Sequence, residues 1–408
     1  MNVKRSMAVV VGCVVLSGAG RAPAQDWPQW RGPNRDGKVS GFAAPQTWPK
    51  ELTQKWRVTV GAGDATPALV GDKLYVFTRQ DADEILRCLN AGDGKELWQA
   101  KYSAQAVTGA AGRHPGPRSS PVVAEGKVVT LGVGGVVSCF DAATGKELWR
   151  KDEFPKVVPM FFAAMSPIIV DGLCVAQVGG KDTGAIIAFD LATGDPKWKW
   201  TSEGPAYGSP VLLTVAGTKQ LVAQTDKSLV GLAVADGKLL WQVPAQGQGR
   251  FFNSASPLVT GSTVIYTGQG KGTKAVKIER QGEGFAAKEV WSNDQLGTGF
   301  NTPVLKDGLL FGLSDKGSFF CLNAQTGATD WTDTATRREN FGAILDAGPV
   351  LLALPSTAEL IAFKPDAKEY SELARIKVAD TPTYAHPVVA GNRVFVKDSE
   401  AVTLWTLQ

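Results

Sequence analysis

The sequence is short of the residues that most function classes need. Its 408 residues hold two histidines, His114 and His386, and five cysteines, no two of them adjacent. None of the cysteines shows the spacing of a zinc site. No Gly-x-Ser-x-Gly elbow occurs, so Ser-His-Asp hydrolysis has no supporting motif. Gly132-Val-Gly-Gly135 and Gly268-Gln-Gly-Lys-Gly272 lack the following helix that a phosphate loop requires, and they read as hairpin turns. Charge of one sign is missing too: 43 basic against 39 acidic residues leaves +4. Lys4, Arg5 and Arg21 precede residue 25, where no acid occurs, so the remainder carries +1. That balance excludes the electrostatic footprint of a nucleic-acid binder. Beyond the N-terminus, no apolar run approaches the ~20 residues that span a bilayer.

What is present begins with a leader. Residues 1–24 have the pattern of a secretory signal: Lys4 and Arg5, an apolar run from Met7 to Leu16, then Ala22-Pro-Ala24. Val10-Val-Gly-Cys13 offers a lipoprotein box as the alternative, although only a short apolar run precedes Cys13. The expectation is an exported protein, periplasmic or extracellular. Residues 25–50 follow as a cap, with Trp27, Trp30 and Trp48 among prolines and glycines that forbid a long helix or central strand. Three tryptophans in so turn-rich a segment imply docking onto a larger body.

The rest of the chain rewrites one phrase. Asp141-Ala-Ala-Thr-Gly-Lys-Glu-Leu-Trp149 returns as Asn90-Ala-Gly-Asp-Gly-Lys-Glu-Leu-Trp98, and more loosely before Trp198, Trp241 and Trp331. Each copy reads as a strand end, a tight turn with glycine, and a return strand carrying Trp. A second marker, a small polar residue before proline, opens each repeat at Thr66, Ser120, Ser166, Ser209, Ser256 and Thr302. Gly348-Pro349 and His386-Pro387 are its variants, which makes eight starts 38 to 54 residues apart. Four short strands in ~40–50 residues is the pattern of a propeller blade. The expected fold is an all-β, eight-bladed β-propeller of four-stranded antiparallel blades over 51–408, with seven blades if degenerate repeats merge. The eighth repeat lacks a last strand, and Glu51–Val58, with Trp56, is expected to supply it and close the ring. The seventh repeat loses its Trp near Leu373–Ile376. The recurrent Trp residues are read as wedges between blades. Cys88, Cys139 and Cys321 share a repeat position with Ala188, Gly231 and Ala362, so that position, with Cys174 elsewhere, suggests small buried residues, not disulfides or metal ligands.

The Ser-Pro start and the Asp-Ala-x-Thr-Gly-Lys-x-Leu-Trp phrase resemble the tryptophan-docking repeat of pyrroloquinoline-quinone (PQQ)-type propellers over residues 51–408. The resemblance implies one of two branches. Quinoprotein alcohol and sugar dehydrogenases bind PQQ and usually calcium above the channel. The propeller lipoprotein of the outer-membrane assembly machinery and similar exported proteins have the repeats without established redox chemistry. The first branch implies an adjacent Cys-Cys disulfide, carboxylate and amide calcium ligands and an Asp base. This sequence has no adjacent cysteines and no acidic pair matching the calcium ligands.

Residues just before each marker are expected around one mouth of the central channel, where binding sites of rigid scaffolds concentrate. They include Asp64, Arg113, Met165, Phe300, Phe341 and Asp346. As ligand- or partner-binding candidates we take His114, Arg118, Tyr207, Arg250, Phe252, Asn253, Asn301, Tyr384 and His386. Arg118 is an anion-binding candidate, and the two histidines form a candidate base or metal pair. Aromatic and Arg side chains suit a flat ligand or a peptide. The sequence therefore points to a monomeric, non-enzymatic scaffold binding a protein or small ligand, without nucleic acid, catalytic residues, cofactor or metal. A PQQ-dependent oxidoreductase with an unconventional site, using PQQ and calcium, is the alternative.

Overall fold

The computed structural model describes residues 26–245, 252–335 and 340–407. The signal segment, Cys13 and Arg250 lie outside the described residues. Eight four-stranded antiparallel sheets form the propeller. Seven are consecutive meanders; blade 1, for example, runs through Ala68–Val70, Lys73–Gln80, Asp83–Asn90 and Glu96–Ser103. The last joins Val388–Ala390, Arg393–Lys397 and Ala401–Thr406 to Thr53–Thr59 from the start of the chain. The expected closing strand is therefore in place, and the count is eight.

The repeated phrase explains the blades residue by residue. Asp141 Oδ1 accepts the backbone N–H groups of Ala143 and Thr144 at 3.1 and 2.8 Å, and the Thr144 hydroxyl at 2.7 Å. This folds the strand end into a turn. Gly145 then takes φ 73°, and a Cβ there would stand 2.4 Å from the Trp98 ring of the preceding blade. Glycine is required twice over, by the backbone and by the ring. Trp149 Nε1 donates to Leu191 O in the next blade at 3.0 Å; Trp198 and Trp291 donate in the same way, at 2.9 and 3.0 Å. Opposite the Trp, across a bulge, stands a small residue: Cys139 against Trp149, Ala188 against Trp198, Gly231 against Trp241. The four described cysteines are free and buried, and burial pushes the Cys88, Cys139 and Cys321 thiols up to about 12. In blade 7, Ala374 occupies the Trp position opposite Ala362. Trp331 still reaches across, donating to Asp366 O at 2.7 Å.

The small polar residue of the second marker has its own task. Each backbone N–H of Thr66, Ser120, Ser166, Ser209 and Ser256 donates to the marker hydroxyl of the following blade, at 2.8 to 3.1 Å. His386 N–H donates to Thr66 Oγ1 at 2.9 Å and carries the chain of bonds across the closure. Blade 7 departs from the expectation. Its innermost strand is Gly342–Asp346, so Gly348-Pro349 lies in the hairpin turn that follows and does not open the repeat. The pairing of Leu345 with Leu352, which in turn faces Ala362, fixes that register and puts Ala343, which has no hydroxyl, at the marker position.

Residues 26–39 enter the channel. Trp27 pairs with Leu69 of blade 1, Val123 N–H of blade 2 donates to Pro28 O, and Gly37 and Val39 bond the backbone of Asp346 in blade 7. Trp30 Nε1 donates to Ser256 Oγ of blade 5 at 3.0 Å, and the indole lies 4.3 Å from the His386 ring of blade 8. Val39, Phe42 and Leu52 join the core shared by blades 7, 8 and 1. The tryptophan-rich segment thus docks into the centre of the ring.

Candidate functional site

The loops from each outermost strand to the next innermost strand meet at one mouth. In the first, a short 3-10 helix, Gly109–Arg113, is followed by His114 at its C-cap. His114 Nδ1 sits 2.8 Å from Asp64 Oδ2, and the imidazole meets the Tyr384 ring edge-on at 4.6 Å. Arg118 donates through Nη2 to Ala111 O and His114 O, at 3.2 and 2.7 Å, and so holds this loop in shape. Its Nη1 has no acceptor among the described residues. Burial pulls the Arg118 guanidinium down, against the charges of Asp64 and Glu84. Behind it lies Glu84, 1% exposed, which accepts from the Tyr102 hydroxyl and from Val133 N–H at 2.8 Å. Desolvation raises this carboxyl above the usual range. Lys397 is buried alongside, donating to Asp398 O at 2.5 Å, and burial pulls its ammonium down to about 8 although Asp64 opposes the shift.

The mouth is otherwise aromatic. Phe161, Tyr207 and Phe252 contact one another edge-on with centroids 5.0 to 6.2 Å apart. Tyr207 Oη accepts from Phe161 N–H at 3.2 Å, and burial raises the phenol. Phe300 and Phe341 stack at 4.4 Å and 6°, and Phe341 meets Tyr384 at 5.3 Å. Met160, 68% exposed, and Phe300, 37% exposed, stand out into solvent. Among the described residues this mouth offers an aromatic surface with the Arg118 guanidinium and an oriented imidazole.

The sequence-derived candidates divide accordingly. His114, Arg118, Tyr207, Phe252 and Tyr384 gather at the mouth. Asn253 and Asn301 turn inward: Asn253 Nδ2 donates to Thr225 O at 2.7 Å, and Asn301 Nδ2 to Leu313 O at 2.8 Å. Both are buried, and their amides satisfy strand ends. His386 is only 3% exposed and is covered by Trp30, so it does not form a mouth pair with His114. Desolvation, then Arg31, pulls its pKa well below the ordinary value. Sequence reasoning missed Met160 and Phe161, although they precede Ser166-Pro167 as the other mouth residues precede their markers. It also missed Arg31 and Arg35 in the channel.

The quinone and calcium of the dehydrogenase branch do not fit these residues. Each of the four described cysteines is buried within its own blade, far in sequence from the others and unpaired. Among the described residues no three His, Cys, Asp or Glu side chains are placed to hold a metal ion, and Asp64 is already bonded to His114.

Comparison with known proteins returns relatives from both branches. A family model described as outer membrane protein assembly factor BamB matches residues 82–333 and 288–408. The outer membrane protein assembly factor BamB of Yersinia pestis is 25% identical over 245 residues, which span 57% of this chain and 60% of that protein. The crystal structure of BamB from Moraxella catarrhalis superposes with a TM-score of 0.66 at 15% identity, covering 88% of this chain and 98% of that one. The quinohemoprotein alcohol dehydrogenase of Comamonas testosteroni gives 0.68 at 16% identity, covering 97% and 82%. At such identities the two structures share the fold alone. With the model match extending over most of the propeller, the chain belongs to the PQQ_2 family, described as outer membrane protein assembly factor BamB.

Proposed function

We propose that the chain is an exported, non-enzymatic scaffold that binds a protein partner at the aromatic mouth and serves outer membrane protein assembly. The supporting observation is the pair of aromatic groups, Phe161–Tyr207–Phe252 and Phe300–Phe341–Tyr384, that line the mouth. Clustered aromatic side chains with an Arg nearby are enriched in protein interfaces. The family relationship supplies the assembly role. The leader at 1–24 supports export, with cleavage after Ala24 expected from the mass of the mature protein.

A photo-crosslinking residue at Met160, compared with one at Leu97 on the outer rim, tests the reading. A discrete adduct from Met160 and none from Leu97 supports it. Adducts from Leu97 alone, or from neither, overturn it. The fold shared with the alcohol dehydrogenase motivates a second test. Titration with PQQ and calcium, followed by Trp fluorescence, should give no saturable quenching. Saturable quenching at micromolar concentration would restore the oxidoreductase reading.

A further inference from the structure

The loop from blade 1 to blade 2 and the loop from blade 2 to blade 3 pack into one body. Residues 104–118 and 152–163 share a small core, Ala111, Val133 and Phe162, with Val107, Val158 and Phe161 half-buried against it. Backbone bonds fix the second loop: Phe162 N–H donates to Pro159 O at 2.9 Å, and Ala163 N–H to Val133 O at 3.0 Å. Phe161 N–H is tied in turn to Tyr207 Oη at 3.2 Å. Phe162 holds its place at φ 65°, a left-handed backbone that a bulky side chain adopts only at a cost. That turn buries Phe162 and leaves Met160 standing out at 68% exposure, with Phe161 beside it. The two loops thus hold an apolar prong in a fixed position.

The charge around the prong has one sign. Residues 104–118 hold Arg113, His114 and Arg118 and no acid. Arg113 and Lys156 are exposed, and neither forms an ion pair among the described residues. Arg118 leaves Nη1 without an acceptor there. The neighbouring acids are engaged: Asp64 by His114 at 2.8 Å, Glu84 by Tyr102 and Val133 N–H, and Glu153 by Lys199 at 2.9 Å. Asp152, at the foot of the second loop, is the exposed acid that remains. Three cations against one free carboxylate, beside apolar side chains already held in place, suit a partner of opposite sign. They fall short of the roughly four to eight basic residues that a lipid surface takes. We propose that these two loops dock an acidic segment of the partner protein, its carboxylates facing Arg113, Arg118 and Lys156 and its apolar side chains facing Met160 and Phe161. This rests on the protein-binding reading of the mouth and narrows it to the sector of blades 1 to 3.

Fluorescence anisotropy of the intact mature protein with a labelled peptide, Asp-Phe-Asp-Glu-Leu-Phe-Asp, and with its amide counterpart, Asn-Phe-Asn-Gln-Leu-Phe-Asn, tests this. The acidic peptide should bind about tenfold more tightly at low ionic strength, and the preference should shrink at about 0.15 M salt. Arg113→Glu combined with Lys156→Glu should abolish the preference. Lys316→Glu, equally exposed but in blade 6, should change binding by less than about twofold. Equal binding of the two peptides, or binding of neither, overturns the proposal. So does an equal loss from Lys316→Glu, or a preference for phosphatidylglycerol vesicles over the acidic peptide, which would make the surface a lipid contact. A Met160 adduct that forms without any acid preference would keep the protein-binding reading and sink only its acidic partner.

Discussion

His386 makes the stability of the ring depend on pH, and the sign follows from its burial. Six other blades place Ser or Thr where His386 stands, and this blade instead packs an imidazole under Trp30 beside Arg31. Burial and the Arg31 charge hold the folded-state pKa well below the ordinary 6.5. The folded protein therefore binds fewer protons than the unfolded chain. Its contribution is complete above an unfolded pKa of about 6.5 and is lost as pH falls, by about 1.4 kcal/mol per unit. A group that stays neutral in the fold throughout loses about 2 kcal/mol between pH 7.5 and 5.0 by that rule. His386→Ser restores the residue of the other blades and should remove this loss. It also leaves space under Trp30, so the variant should be less stable at pH 7.5 by roughly 1–3 kcal/mol. The diagnostic quantity is the change in that difference with pH. Urea unfolding at both pH values measures it without introducing the chloride of guanidinium salts. Carboxylate titrations are common to both proteins and cancel. Parallel pH profiles for the wild type and His386→Ser would refute the reasoning.

Other perturbations probe the blades. Trp149→Ala should cost about 3–5 kcal/mol in urea unfolding, because the seat on Gly194 and the bond to Leu191 O are both lost. Its neighbour Leu148 is 43% exposed, and Leu148→Ala should change stability by less than about 0.5 kcal/mol. Gly145→Ala must set a methyl 2.4 Å from the Trp98 ring at φ 73°, and a loss of roughly 2–4 kcal/mol is expected. Cys88, Cys139, Cys174 and Cys321 should resist a thiol reagent in native protein and all react in urea; rapid native labelling would contradict their burial.

The blades were legible because each repeat states the same physics again. Asp141 and Thr144 make the turn, Gly145 admits the neighbouring Trp, and Cys139 leaves room opposite Trp149; each role recurs at another number. The start of blade 7 was not legible. Ala343 has neither a hydroxyl nor a following proline, and Gly348-Pro349 imitates the marker from inside a turn. Candidate mouth residues were chosen by position relative to the marker, which cannot tell Tyr384 at the mouth from an inward Asn301. Strand-end carbonyls such as Leu313 O decide that, and their need for a donor is visible only in the fold. The destination of Trp30, Arg31 and Arg35 had no sequence signal, because a segment that occurs once has no periodic partner to compare.

The two ends of that segment close the ring by different means, and truncation separates them. Residues 26–39 bond blades across the channel, whereas Thr53–Thr59 completes the last sheet by pairing with Ala401–Thr406. Removing 26–45 takes away Trp27, buried to 1%, together with the inserted arginines, and leaves every blade four-stranded. That protein should melt lower yet elute in size-exclusion chromatography in the same oligomeric state as the intact protein. Removing 26–59 exposes the hydrogen-bonding edge of Ala401–Thr406 and also uncovers the Gly94 turn, on which Trp56 packs. An unpaired edge invites pairing with another chain, so oligomers or aggregates are expected. Should the longer truncation keep the oligomeric state of the shorter one and melt with it, the closing strand would not be what seals the propeller. The strength of closure would then lie in the channel contacts of residues 26–39.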